Sequence, residues 1–562
     1  MQKFEKFYFN SFEFDKKTLH AKFFYSFDDK QSFTEEIDFS SDFLHVRNDF
    51  QQEIFNNFLF SLSIAIWISY YKLYPTKELV VKSWFLTEED KQFWQKFYLN
   101  WLWEFLYKNK INPNWLFNFV NESDKKYEKI EFKTSDKIFL PIWWWKDSIV
   151  STELLKNNWF SYTPFIFGKI DTIKENCLKV MKQESFLVKR KLDENLFRLN
   201  ELWYYNWHVP ITWIISFVLL CSAYLYDYRY LILSNEKSAN SWNTKIWKCG
   251  NEEKWKCKNL NSMSSWTNVK DSFSSIISLN ENLMDSSLNS EWQIIYNRKL
   301  TTDDFLEVNH QYSKSLEFEQ DLDIYIKRNL SNEIKYFSLL RWMYEIKIAE
   351  IFSKIWKDYF GVFSSCNKNF KIWKIDWKKD KKSTKLLNCQ SGEPKSSAWL
   401  GIVSESLKGN CNYYDSWLNS EWQRQWFCSS TKYWCNSCPK CAFVYAVLRP
   451  YLTDTEIMLI FWKELYENKD LENLFKELLW VKWIKPFECV WEEEEVVYAM
   501  NEALAKFKKE KKDIPYILEI FEKEVKKNYD DVFFLNLKNK LFTVYNQETL
   551  IPEEIKTKIL IR

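Results

Sequence analysis

Residues 143–148 read Trp-Trp-Trp-Lys-Asp-Ser and lie between an apolar run, Lys137 to Ile142, that predicts a strand and a segment, Ser148 to Lys156, that predicts a helix. Cation, carboxylate and hydroxyl at such a junction suit an anion. The helix N-terminus offers N–H groups and a positive dipole end. Lys146 adds charge, Ser148 a hydroxyl, and Asp147 a carboxylate able to help hold Mg²⁺. Three indoles do not suit that chemistry, because a tight turn whose backbone closes on phosphate requires glycine. The composition carries the same imbalance, with 31 Trp and 6 Gly. Glycine at roughly 7% would give about 39 residues at this length, and the two counts together approach that figure. One codon assignment accounts for both. Some bacterial lineages reassign the UGA stop codon to glycine, whereas common alternative tables read it as tryptophan. With glycine at Trp143, Trp144 and Trp145 the turn becomes a phosphate cradle; with tryptophan it is an aromatic patch.

The cradle lacks the Gly-x4-Gly-Lys-Ser/Thr spacing of a Walker loop. It resembles instead the pyrophosphate loop of ATP pyrophosphatases, Ser-Gly-Gly-x-Asp-Ser, with position 143 in place of the leading serine. That class cleaves ATP between the α- and β-phosphates and adenylates a carboxylate, amide or carbonyl.

A second chemical signal is Cys435, Cys438 and Cys441, spaced C-x2-C-x2-C, with Cys428 upstream and Cys489 downstream. The spacing suits a metal, but a four-ligand Zn²⁺ site needs one more partner, and part of an iron–sulfur run has the same spacing. Lys440 and the apolar residues from Ala442 allow a plainer reading, cysteines packed at a helix start. Only four histidines are present. For acid–base work His310, with Tyr312 and Lys314 nearby, comes first and His208 second; each serves equally as a hydrogen-bonded structural residue. Cys366 is a candidate proton donor or acceptor, or a buried thiol. Ser234, Asn235, Glu236 and Lys237 follow a strand end, where open α/β sheets hold ligands; a helix-cap role fits them as well.

These groups must be positioned by a scaffold that the chain's periodicities outline. Residues 1 to about 45 alternate aromatic and polar side chains, as half-buried strands do. From Asn48 to Lys110 the spacing is helical. Strand and helix then alternate: Lys137 to Ile142, Ser148 to Lys156, Thr163 to Phe167, a long apolar helix from Ile211, and Tyr230 to Ser234. From about Thr453 the pattern is helical, with Glu492 to Glu495 suited to a first turn. The expected fold is α/β: a mostly parallel-sheet, pyrophosphate-loop ATPase-like domain over 134–452, an N-terminal α+β domain over 1–133 and a C-terminal helical region over 453–562. Two Ser-, Asn- and Lys-rich stretches, about 246–304 and 371–432, read as inserts. Both contain Leu-Asn-Ser-Glu-Trp-Gln, at 288–293 and 418–423, and they hold four of the six glycines.

Charge is nearly balanced, 79 basic against 77 acidic residues, which argues against nucleic acid as a partner. The N-terminus lacks the apolar core of a secretion signal, and the apolar run Ile211 to Tyr226 is short for a membrane span. Twelve cysteines without such a signal suit a reducing compartment, so a cytoplasmic protein with no membrane span is expected.

Further segments join the loop: Trp207-His208-Val-Pro-Ile-Thr, Ser234-Asn-Glu-Lys-Ser-Ala-Asn240, Glu307-Val-Asn-His-Gln-Tyr-Ser-Lys-Ser315, Phe363-Ser-Ser-Cys-Asn367, Cys435 to Phe443, and Lys485-Pro-Phe-Glu-Cys-Val490 followed by Trp491-Glu492. In this order they resemble the UDP-N-acetyl-α-D-muramoyl-L-alanyl-L-glutamate epimerase family, over most of the chain outside the two inserts. The resemblance implies ATP-dependent epimerisation in peptidoglycan synthesis, with ATP, Mg²⁺ and UDP-MurNAc-L-Ala-L-Glu as its small molecules. The terminal L-Glu would be adenylated, deprotonated at Cα, reprotonated on the other face and released with AMP and pyrophosphate. Two rivals keep a place: another adenylating ATP pyrophosphatase, tRNA-thiolating or amide-forming, and a Trp-rich protein that stacks on sugars or bases.

Overall fold

A computed structural model describes residues 3–109, 111, 116–126, 128–168, 175–202, 204–205, 211–240, 244–247, 305–308, 312–360, 362–366, 434–479, 481, 492–543 and 549–560. Among these, twelve strands form: β1 (Lys6–Asp15), β2 (His20–Phe27), β3 (Gln31–Asp38), β4 (Glu78–Val81), β5 (Asn118–Asn121), β6 (Ile138–Pro141), β7 (Thr163–Phe167), β8 (Phe186–Lys191), β9 (Tyr230–Leu233), β10 (Thr244–Trp247), β11 (Phe305–Val308) and β12 (Lys335–Ser338). Ten of them make one sheet in the order β12-β9-β6-β7-β8-β3-β2-β1-β4-β5, while β10 and β11 form an antiparallel pair.

The protein is mixed α/β. The half β12-β9-β6-β7-β8 is parallel throughout. It continues through antiparallel β8–β3–β2–β1 and ends in parallel β1–β4–β5. Strands from both sides of residue 133 therefore belong to one sheet, joined where Glu36 to Asp38 of β3 pair with Lys189 to Lys191 of β8.

Aromatic alternation produces the N-terminal strands. Phe7, Phe9, Phe23, Tyr25, Phe27 and Phe33 are buried, and each such side chain contributes about 1.5–3 kcal/mol relative to exposure. Against them lies the helix Gln52–Ile66 and, behind it, the helix Ile211–Tyr226, apolar on nearly all sides and enclosed accordingly. Among the described residues the helical stretch Gln52–Tyr71 is long and apolar enough to cross a membrane, yet 94% of the apolar window within it is buried in the protein's own core.

Two strands depart from the expected pattern. β4 interrupts the helical span 48–110, and β5 follows it at the sheet edge, because four-residue strands give too little periodicity to register. C-terminal to Thr453 the described elements are helical, including Glu493–Lys509 with three acidic residues in its first turn.

Candidate active site

The sheet topology fixes where a ligand fits. From β6 the chain moves through β7 to β8 on one side, then returns to β9 and β12 on the other. The carboxyl ends of β6 and β9 therefore flank a topological switch point, the place where open α/β sheets bind ligands. The 143–148 turn leaves β6 there, and Ser234 to Lys237 leave β9 beside it.

The helix Lys146–Asn157 starts at Trp145, which provides no side-chain cap. Its first-turn N–H groups thus keep the anion-attracting character of an uncapped terminus. Trp144 has φ 57°, a left-handed conformation that costs a bulky L-residue about 1–2 kcal/mol and glycine little. Its carbonyl accepts from the Ser364 N–H at 3.0 Å, and its ring lies 6.3 Å from that of Tyr359. The Ser148 hydroxyl donates to the Trp145 carbonyl at 3.0 Å. Trp143 is half-buried against the N-terminal core.

Charged groups converge around position 145. Lys314 and Lys440 place their ammoniums 5.1 and 5.2 Å from the centroid of the Trp145 ring. Lys146 pairs with Asp147 at 2.5 Å and with Glu345, and Lys440 lies 3.8 Å from the other Glu345 oxygen. Asp147, Glu236 and Glu345 bring carboxylate oxygens within 4.8 Å of one another, all buried. Glu236 Oε1 has no hydrogen-bond partner. Burial, reinforced by Asp147, pushes the Glu236 carboxyl above its ordinary range, and burial also lowers the Lys146 ammonium. Three cations and three carboxylates around one turn match a polyphosphate with its divalent ion.

Buried Arg341 organises one side of the site. It donates to the carbonyls of Glu236 and Lys314, both at 2.8 Å, and to Glu319 Oε2 at 2.6 Å. Asn235 donates to Ser338 Oγ at 3.0 Å, and Lys237 N–H to the Met343 carbonyl at 2.8 Å. The Lys237 ammonium lies over the Tyr344 ring, 4.4 Å from its centroid, and Ser234 Oγ is buried without a partner.

Sequence reading thus located the loop, Ser234 to Lys237 and Lys314, which the structure brings together. Tyr312 points elsewhere: its hydroxyl donates to Asp321 at 2.8 Å, its ring packs on Phe97 and Phe318, and burial raises its pKa. His208 and His310 lie outside the described residues, as do Cys428 and Cys489. Cys366 groups with Cys435, Cys438 and Cys441. Glu345, Lys440, Arg341 and Glu319 were missed. Glu345 carried a usable signal, an acidic first-turn residue shortly after the end of β12.

Residues 1–252 and 297–339 match the MurL N-terminal domain, and 419–531 match the MurL C-terminal domain. The unmatched stretch 253–296 falls inside the Ser-, Asn- and Lys-rich segment 246–304. The chain is 24% identical over 439 residues to the UDP-N-acetyl-alpha-D-muramoyl-L-alanyl-L-glutamate epimerase of Xanthomonas oryzae pv. oryzae, covering 78% of this chain and 72% of that protein. It is also 24% identical to the proteins of that name from Micromonospora sp. and Salinispora tropica. Those matches cover 89% of this chain in both cases, and 87% and 85% of the relatives. No solved structure matches.

Proposed function

Because the chain belongs to the MurL family, we propose that it is an isomerase converting the terminal L-Glu of UDP-MurNAc-L-Ala-L-Glu to D-Glu for peptidoglycan synthesis, at the expense of ATP. The three relatives are named as epimerases of that UDP-linked dipeptide. The observation that carries the ATP dependence is the gathering of Lys146, Lys314 and Lys440 with Asp147, Glu236 and Glu345 at the switch point.

The residues fit Mg²⁺ and a triphosphate. Carboxylates within 4.8 Å of one another, one with an unpartnered buried oxygen, suit a hard cation, while ammoniums and first-turn N–H groups suit phosphates. The backbone of 143–145 fits as well, but the indole between Lys314 and Lys440 takes the space. We therefore read positions 143–145 as glycine in the functional protein.

ATP supplies activation of a carboxylate. A free α-carboxylate resists loss of its Cα proton, since a second negative charge would form beside the first. Adenylation cancels the first charge and acidifies the proton. Lys146, Lys314 and Lys440 bind and orient phosphates, Asp147, Glu236 and Glu345 hold the cation, and Arg341 fixes the backbone bearing Glu236 and Lys314. For the proton at Cα, His310 is the first-choice acid–base residue and His208 the second. Dependence on ATP fits the cytoplasmic enzyme that the sequence leads one to expect.

Incubating the Trp143→Gly, Trp144→Gly, Trp145→Gly protein with UDP-MurNAc-L-Ala-L-Glu, ATP and Mg²⁺ tests the reading. AMP and the D-Glu epimer should appear together. AMP formed only when tRNA or an amine donor is supplied would favour the rival adenylating enzymes and overturn it.

A further inference from the structure

We infer that Cys366, Cys435, Cys438 and Cys441 bind one Zn²⁺ ion, a structural site separate from the proposed ATP chemistry. Their four sulfurs all lie within 4.8 Å of one another. The Cys438–Cys441 separation is 3.4 Å and the Cys435–Cys441 separation 3.7 Å. Four sulfurs at about 2.3 Å from a central zinc define a tetrahedron with edges of about 3.8 Å. The observed separations match that edge and are far from a disulfide's bond of about 2.05 Å; all four cysteines are free thiols. Cys366, Cys438 and Cys441 are buried and Cys435 is half-buried, and thiols gathered this closely have little else to satisfy them, since sulfur is a weak donor and acceptor.

The arrangement favours one ion over a cluster. Thiolates on separate irons of a cluster must be farther apart than sulfurs sharing a single ion. The set is also closed, with four protein ligands and no open position, which is the pattern of a structural zinc rather than a catalytic one. The backbone supports it: Cys438 caps the helix Pro439–Leu448, and its sulfur accepts the Cys441 N–H at 3.4 Å. Grouped in this way, Cys366 serves as a metal ligand rather than as a proton carrier.

Such an ion would join two segments that both meet the loop. Cys366 lies two residues after Ser364, whose N–H bonds the Trp144 carbonyl, and Cys438 to Cys441 begin the helix that presents Lys440 to Glu345. The metal would hold the two segments in register beside the phosphate loop.

The test uses the full-length protein, purified without metal supplementation. Elemental analysis should find one zinc per chain, and X-ray absorption at the zinc edge should find four sulfurs at about 2.3 Å. Cys366→Ser should lower zinc content or leave a site with three sulfurs, and Co²⁺ reconstitution of the unsubstituted chain should give intense thiolate-to-metal charge-transfer bands. The cobalt readout does not depend on the variant folding. Folded protein with no metal, with an iron–sulfur cluster, or with nitrogen or oxygen bound to the zinc would overturn the assignment.

Discussion

Lys146, in the first turn of the loop helix, is ion-paired with Glu345, 199 residues further along the chain. Both side chains are almost fully enclosed, with relative exposures of 1% and 0%. The pair bridges β6 and β12 across the intervening β9, so it closes the site over the switch point. Removing one member of a buried pair costs about 3–5 kcal/mol when the other charge is left alone, but Lys146 retains Asp147 at 2.5 Å. Glu345→Gln should therefore lower the urea-unfolding free energy by less than about 3–5 kcal/mol. An unchanged midpoint with an unchanged m-value would show that the pair is not formed.

Arg341 makes a further positional prediction. Its guanidinium reaches two carbonyls and a carboxylate at once, a geometry that one ammonium cannot reproduce. Arg341→Lys should cost about 2–4 kcal/mol, from lost hydrogen bonds to a charged donor. The same variant should raise KM for ATP, since Glu236 and Lys314 lose their anchor. Wild-type stability and KM in this variant would contradict the role.

The left-handed tryptophans bear on the codon question. Trp159 and Trp462 have φ 60° and 64°, each just past the end of a helix, where glycine is the usual residue. Trp159 is 87% exposed, so its indole gains little from packing. Trp159→Gly should raise stability by about 1 kcal/mol, read as a higher denaturation midpoint, whereas ordinary helix-end positions lose stability on such a change. Intact mass of the protein from its native host, compared with a tryptophan-bearing recombinant chain, should be lower by one side-chain difference per reassigned codon. Equal masses would restore tryptophan at 143–145.

Glu495 sets a pH dependence. It is fully enclosed, and burial raises its carboxyl from 4.5 to about 8, with nearby Glu492 adding to the effect. When unfolded, the group loses its proton near 4.5; when folded, it keeps it until about 8. The stability from this proton is complete below 4.5 and is lost as pH rises toward 8, by up to about 1.4 kcal/mol per unit. Glu495→Gln keeps an acceptor for the Ile346 N–H, now at 3.0 Å, and should flatten the decline across that interval. A parallel decline in both proteins would contradict the assignment.

What the sequence disclosed follows from how local each signal is. The strand, turn, helix and strand from Ile138 to Phe167 were legible because consecutive residues carry them. So were Ser234 to Lys237, at the end of an apolar run. Glu345, Lys440 and Arg341 acquire their roles only when β12 pairs beside β9 and the helix Pro439–Leu448 docks, and no local pattern announces either event. Cys366 was visible as a cysteine, but its partnership with Cys435 to Cys441 exists only in the folded chain. β4 and β5 were too short for periodicity to mark.

Epimerisation in D₂O tests the central claim, that ATP activates the carboxylate before Cα loses its proton. With glycine at 143–145, the D-Glu product should carry one deuterium at Cα, formed together with AMP, and omission of ATP should leave Cα–H intact. Deuterium entering Cα without ATP, or AMP released with neither exchange nor inversion, would contradict the account.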